Sequence, residues 1–183
     1  MKKDIIFPAL PSNIDSDHQI FYTELLEELQ NLRKEVSADR TALRYTKNDA
    51  QTISTTTATK VEYDDIDYDL LGEYDTSSHR FTAAYTGKYY IYAQLLTADV
   101  AWTAGQTIYL AIYKNNSIIS RKFHEIEASV TAYMQIDCED TLSLNKNDYI
   151  EIYFTHNRGS NTDIYSGASA HQYNILNIHR IDI

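Results

Sequence analysis

Cysteine is almost missing from this chain. Cys138 stands alone among 183 residues, so no internal disulfide forms and stability must come from packing or association. Proline occurs twice and glycine five times, too few for a Gly-X-Y repeat or a Pro/Gly-rich low-complexity chain. No apolar run approaches the ~20 residues of a membrane-spanning helix, so no membrane insertion is expected. Positive charge is also scarce: 16 Lys and Arg face 26 Asp and Glu, for a formal charge of −10. That balance disfavours sequence-independent attachment to phosphate backbones, and nucleic acid is not an expected partner. Near the N-terminus Lys2 and Lys3 precede a few apolar residues, but Asp4, Pro8 and Pro11 interrupt them before a signal-peptide core develops. No secretion signal is read.

Catalytic signatures are missing too. A Ser nucleophile in a G-x-S-x-G elbow would need a glycine that Ser166-Gly167 lacks. His124-Glu125 lacks the second histidine of a zinc-binding H-E-x-x-H, and His18, His79, His156, His171 and His179 show no short paired spacing. Cys138 sits among Asp137, Glu139 and Asp140, whose charge suppresses a thiolate. No catalytic, cofactor-binding or metal residue is assigned, and a non-enzyme is expected.

What the chain does contain is a globular composition, 43% hydrophobic and 23% charged, with 16 tyrosines. This length favours one main core plus an appendage. Tyrosine suits half-buried pleated surfaces and contributes both area and a hydroxyl at interfaces. A tyrosine-rich, mainly β protein is predicted.

Four regions follow from the local patterns. Residues 1–15 combine Ile5, Ile6, Phe7 and Leu10 with Pro8 and Pro11, which block a continuous helix and favour an extended arm. Residues 16–46 begin with Ser16 and Gln19 in capping-box spacing and continue through strong helix formers, predicting a helix from Asp17 to Leu43. Alternating steps of three and four place Tyr22, Leu25, Leu29, Leu32, Val36, Asp39 and Leu43 on one seam of about three heptads. So narrow a seam is marginal alone, which favours either a trimeric coiled coil or packing on the rest of the chain. Residues 47–59 include the polar tract Gln51–Thr59 and read as a connector. Residues 60–183 form the head.

Within the head, Tyr89–Leu95, Thr107–Tyr113, Tyr149–Phe154 and Tyr173–Ile178 read as strands. Several are apolar on both faces: Ile108, Leu110 and Ile112 alternate with Tyr109, Ala111 and Tyr113. A half-solvated sheet would alternate apolar with polar residues, so one face is expected to meet a second sheet and the other a neighbouring copy.

The strand order and punctuation resemble the C1q-like branch of the tumour-necrosis-factor jelly-roll superfamily over about residues 60–183. Phe81-Thr82-Ala83-Ala84, followed by Gly87 and the aromatic strand Lys88-Tyr89-Tyr90-Ile91, is similar to the family's Phe-Thr-Ala-Pro segment, with Ala84 in place of proline. Gly72-Glu73-Tyr74-Asp75 resembles the tight turn before it. Leu110–Asn116 matches a Leu-x-Leu-x-Lys-Asn-Gly hairpin with Asn116 for glycine, and Thr141–Ile150 matches a strand–turn–strand with Asn147 for glycine. Tyr165-Ser166-Gly167 echoes a late Phe-Ser-Gly. The resemblance implies a ten-stranded C1q/TNF-like jelly-roll sandwich that assembles as a homotrimer and binds rather than catalyses. Together with the arm and short helix, this plan resembles a bacteriophage head or tail fibre. Such a fibre is a structural protein of the virion surface, anchored through Ile5, Ile6, Phe7, Pro8 and Leu10 to a capsid or tail/baseplate protein, with a head open to host surface glycan or protein. A bacterial cell-surface or secreted C1q-like adhesin or signalling ligand is the alternative, and a surface-polysaccharide hydrolase a third reading.

In that assembly Tyr22, Leu25, Leu29, Leu32, Val36 and Leu43 would form the stalk, and Tyr90, Tyr92, Tyr109, Tyr113 and Tyr153 the contacts between heads. Loops Asp99–Gly105 and His156–Gly167 are the candidate ligand loops, with Trp102, Asn157, Arg158 and Asn161 combining an exposed aromatic with polar groups that suit a sugar. Packing of Trp102 at a subunit contact is the competing reading. The acidic run Glu62, Asp64, Asp65, Asp67, Asp69, Glu73 and Asp75 prompts the question of calcium, but its spacing is not that of an EF-hand loop. A solvated sheet edge is expected there instead, and no metal is assigned.

Overall fold

The computed structural model describes residues 18, 20, 22–30 and 41–181. The chain divides into two compact units, Met1–Asp39 and Arg40–Ile183. In the first unit the described residues are helical, and Tyr22, Leu25 and Leu29 are exposed. Leu32, Val36 and the arm residues Ile5, Ile6, Phe7, Pro8 and Leu10 lie outside the described residues.

The second unit is a β-sandwich. One large sheet (sheet I) contains β1 (Ala42–Thr46), β4 (Asp65–Asp69), β7 (Gly87–Leu96), β12 (Gln135–Leu144) and β15 (Ile175–Arg180), in the order β12-β7-β15-β1-β4. The other (sheet II) contains β5 (Tyr74–Asp75), β6 (Arg80–Thr82), β9 (Thr107–Lys114), β10 (Ser117–Glu125) and β13 (Tyr149–His156), in the order β10-β9-β13-β6-β5. The pair β3 (Thr59–Lys60) joins sheet II beside β13. Two side ladders complete the unit: β2 (Gln51–Ile53) with β14 (Thr162–Ile164), and β8 (Val100–Trp102) with β11 (Val130–Ala132). The described residues thus form fifteen strands where ten are expected, ten of them in the two five-strand paths and five in shorter pairings beside them. Every pairing is antiparallel.

The core follows from period-two alternation. On β7, Tyr89, Ile91, Ala93 and Leu95 point inward and are buried, opposite Leu176 and Ile178 of β15. From sheet II, Ile108, Leu110 and Ile112 meet them together with Ile150, Ile152 and Phe154. Left-handed asparagines turn the hairpins: Asn115 and Asn116, with φ of 50° and 66°, link β9 to β10 as a two-residue loop of the primed type. Asn147, with φ of 72°, turns β12 into β13. Asparagine tolerates this region better than other side chains that carry a Cβ, which explains how it stands where the resemblance expects glycine.

The expected boundary between stalk and head requires correction. Residues 42–46 are not the end of a helix but the strand β1, and Leu43, counted above as a stalk residue, is a fully buried core residue paired with Ile178. Leu43 and Tyr45 point inward while Arg44 points out, so a period of two competes with the heptad count and wins through burial. The connector read over 47–59 likewise belongs to the sandwich. Gln51 and Ile53 are buried on β2, and Gln51 Nε2 donates to the Lys60 carbonyl at 2.7 Å while its Oε1 accepts from Glu62 N at 3.0 Å. The head therefore starts near residue 41, not 60.

Candidate functional site

The five tyrosines expected at head contacts point away from the core on two different faces. Tyr90 and Tyr92 lie on the outer face of sheet I, Tyr92 in register with Glu139 of β12 and Asn177 of β15, and Tyr90 with Thr141 and His179. The Tyr90 hydroxyl donates to Glu139 Oε2, and the Tyr92 hydroxyl donates to Gln94 Oε1 at 2.6 Å. The Glu139 bond, helped by burial, pushes the Tyr90 phenol up to about 12. Across the same face Arg44 pairs with Asp67 at 2.9 Å.

Tyr109, Tyr113 and Tyr153 lie on the outer face of sheet II, where the chain supplies their cover. Tyr113 packs on Tyr153 with ring centroids 4.3 Å apart, Tyr109 packs on Phe123 at 5.3 Å, and the Arg121 guanidinium lies 4.9 Å from the Tyr109 centroid. Between them Glu151 is almost completely buried, because Lys60 Nζ (2.7 Å) and Arg80 Nε and Nη2 (3.0 and 2.9 Å) donate to its Oε1. Burial alone pushes this carboxyl up, but the two cations outweigh it and hold it below the ordinary glutamate value. Arg80 in turn covers the Tyr149 ring at 3.9 Å.

The candidate ligand loops are braced internally. Trp102 is 2% exposed, so its ring is available neither for stacking on a sugar nor for a subunit contact. The indole N–H donates to the Ala132 carbonyl at 3.2 Å, and the ring stands at 84° to buried His156. Burial holds His156 below its ordinary pKa, and its Nε2 lies 3.1 Å from the Ile53 carbonyl. Arg158 donates to the carbonyls of Ala101, at 2.8 Å, and Asn161. Asn157 Oδ1 accepts from Thr107 N at 2.7 Å. Asn157 and Asn161 are exposed, but the aromatic expected beside them is not.

The acidic run is occupied by local bonds. Asp64 pairs with buried Lys47 at 3.2 Å, Asp65 accepts from Asn48 at 2.6 Å, and Asp69 accepts from the amides of Gly72 (2.8 Å) and Tyr74 (3.0 Å). Asp75 accepts from Ser78 and Ser77 and falls to about 2. Glu73 Oε1 accepts from Ala84 N at 2.8 Å, and burial pushes its carboxyl upward. Among the described residues no cluster of three or more His, Cys, Asp or Glu is arranged to hold a metal ion. Cys138 is buried, which is the first cause of its raised pKa, ahead of its acidic neighbours. No helix among the described residues is long and apolar enough to cross a membrane.

One concavity brings together residues that the local patterns do not connect, Tyr165 of a candidate ligand loop among them. A cavity of about 320 Å3 is lined by Leu96, Tyr133, Tyr165 and Tyr173. Tyr165 stands at 89° to Tyr133 and at 78° to Tyr173, with centroids 5.4 and 6.1 Å away. These residues come from strand ends and turns far apart in sequence, so no periodicity marks them. The available signal is Gly167, where a Cβ would come within 2.8 Å of the Tyr165 hydroxyl.

No family model and no curated protein matches the chain. Solved structures do. The chain is similar to Eiger TNF from S. frugiperda at 10% identity and a TM-score of 0.58, over 79% of this chain and 94% of that one. It is similar to the globular domain of zebrafish complement 1qA at 13% identity and a TM-score of 0.56, over 78% and 98%. Murine APRIL aligns at 14% identity and a TM-score of 0.58, over 78% and 99%. At these identities the likeness establishes the fold alone: the second unit is a jelly-roll sandwich of the kind found in tumour-necrosis-factor and C1q domains.

Proposed function

We propose that the chain is a non-enzymatic, homotrimeric structural protein, a phage head or tail fibre displayed on the virion surface. Its N-terminal arm anchors it to a capsid or tail/baseplate protein, and its jelly-roll head faces host surface glycan or protein. The observation that carries the trimer is the pairing of unspent apolar surface on both units. Tyr22, Leu25 and Leu29 are exposed among the described helical residues, and most of the stability of an amphipathic helix comes from packing such a stripe against a partner. On the head, Ile118, Ile119 and Phe123 of the edge strand β10 are each 45–50% exposed, while sheet I presents Tyr90 and Tyr92 elsewhere. A closed ring of three copies needs two unlike, complementary patches on each copy, and these are such a pair. The fold supports a binding role, and the fibre assignment rests on the plan of arm, short helix and head.

Light scattering on the full chain tests the assembly. The expected mass is three times the 21.1 kDa of one chain; a monomer refutes it. Leu25→Asp with Leu29→Asp is expected to weaken the trimer. The anchor has its own test: removing residues 1–15 should leave the trimer intact and abolish its incorporation into particles, whereas undiminished incorporation contradicts the anchoring role.

A further inference from the structure

The tyrosine-lined cavity is rigidly framed. Tyr133 comes from the turn before β12, Tyr165 from the segment after β14, and Tyr173 from the end of the short helix Ala170–Tyr173. Leu96, the last residue of β7, lies among them. Asn174, fully buried and next to Tyr173, ties three of these pieces together: its Oδ1 accepts from Leu96 N at 3.0 Å, and its Nδ2 donates to the carbonyls of Tyr165 (2.8 Å) and Lys47 (3.1 Å). Tyr165 N donates to the Leu96 carbonyl at 2.8 Å, and Gln94 Nε2 donates to the Tyr173 carbonyl at 3.1 Å. Walls fixed in this way lose little conformational freedom when a ligand enters.

The chemistry of the lining narrows the ligand. Three aromatic rings, two of them roughly perpendicular to the third, border an open recess beside an aliphatic side chain, and among the described residues no carboxylate, amide or cationic side chain lines it. A sugar needs directional polar partners in number, and a primary ammonium needs acceptors for three N–H groups. A trimethylammonium group needs neither. Its methyl shell packs on apolar surface, while its charge is attracted by the negative faces of aromatic rings. The surrounding field has the right sign: Asp137 and Glu139 occupy the same outer face of sheet I, with Asp137 opposite Gln94, and the chain carries −10 overall.

We propose that Tyr133, Tyr165 and Tyr173, set over Leu96, form an aromatic cage for the trimethylammonium group of a small ligand. The cage is built within one chain, so it goes beyond the fibre reading and does not depend on the assembly. Calorimetric titration of the full chain with choline chloride at low salt tests it. Saturable binding of one choline per chain is expected. Tyr133→Ala should weaken it about tenfold or more, the loss of a strong cation–ring contact, while Tyr133→Phe should change it less than about twofold because the ring face is kept. Tyr133 is 51% exposed, so both variants should fold, which an unchanged thermal midpoint confirms. Gly167→Ala should also weaken binding by displacing the Tyr165 ring. The neutral isostere 3,3-dimethylbutan-1-ol should bind at least about tenfold more weakly than choline. Equal binding of the isostere, no saturable binding of choline, or full affinity in folded Tyr133→Ala each overturns the proposal. Failure here leaves a scattering mass of three chains untouched, so the two readings fail separately.

Discussion

The two outer faces of the sandwich both carry tyrosines, yet they handle them differently. On sheet II the rings are closed off by the chain itself: Arg80 covers Tyr149, Arg121 covers Tyr109, Tyr113 packs on Tyr153, and Glu151 is sealed between Lys60 and Arg80. On sheet I the hydroxyls of Tyr90 and Tyr92 are satisfied by Glu139 and Gln94, but among the described residues no ring or cation stacks on either. A half-buried tyrosine is therefore not in itself the mark of an interface. What matters is whether its ring face already has a partner, because a covered ring has little left to gain from a neighbouring copy.

The largest expected effect breaks this contrast at the level of assembly. Tyr90→Asp with Tyr92→Asp should place charge on the proposed sheet I contact and convert the proposed trimer to monomers, read as a fall in sedimenting mass to roughly a third. Tyr153→Ala, on the self-covered face, should leave the trimer mass unchanged. The reverse pattern would move the tyrosine side of the contact from sheet I to the outer face of sheet II and dissolve the distinction.

A smaller effect, on stability, sharpens the account of sheet II. Glu151→Ala leaves Lys60 and Arg80 without their shared carboxylate, and urea denaturation should show a loss of about 2–3 kcal/mol, at the low end for a broken buried pair because both cations retain some exposure. The same site predicts a pH signature. Its folded pKa lies below the ordinary value of 4.5, so its contribution is present above that value and is lost as pH falls through the depressed one. Glu151→Gln should therefore be less stable than the parent near neutrality, and the gap should narrow with acidification. A constant gap would mean that the carboxylate charge is not what holds the cluster.

Much of the sandwich is legible in the amino-acid sequence, because long strands repeat their alternation often enough to be read. Tyr89–Leu95 and Thr107–Tyr113 fall within β7 and β9, and Asn116 and Asn147 take the left-handed turns assigned to them. Short elements are harder to read. β1 is five residues long and directly follows a helical pattern, so Leu43 satisfies the heptad and the strand alike until burial decides. β2 has only three residues within a Thr-rich tract, and what fixes it is its pairing with β14, more than a hundred positions away. The sites show the same limit more strongly. Trp102 sits between turn residues and reads as exposed, but its loop closes over it through β8 and β11. The cage depends on Asn174 joining Leu96 to Tyr165, a convergence that no local spacing encodes.

The smallest effect is spectroscopic and belongs to sheet I. The Tyr90 phenol, raised to about 12 by its bond to Glu139 and by burial, should ionise later than an ordinary tyrosine. Glu139→Gln removes the charge that opposes the phenolate, so the alkaline absorbance titration should gain one tyrosine at lower pH. Tyr90→Phe should delete that same step and so identify it. The measurement also reports on the neighbour. A second copy covering this face adds burial, which raises a phenol further, so the step should move down toward about 12 when dilution separates the copies. On sheet II the Tyr153 phenol, raised by burial within its own chain, should not move on dilution. A Tyr90 step that ignores both Glu139→Gln and dilution would leave the two faces indistinguishable.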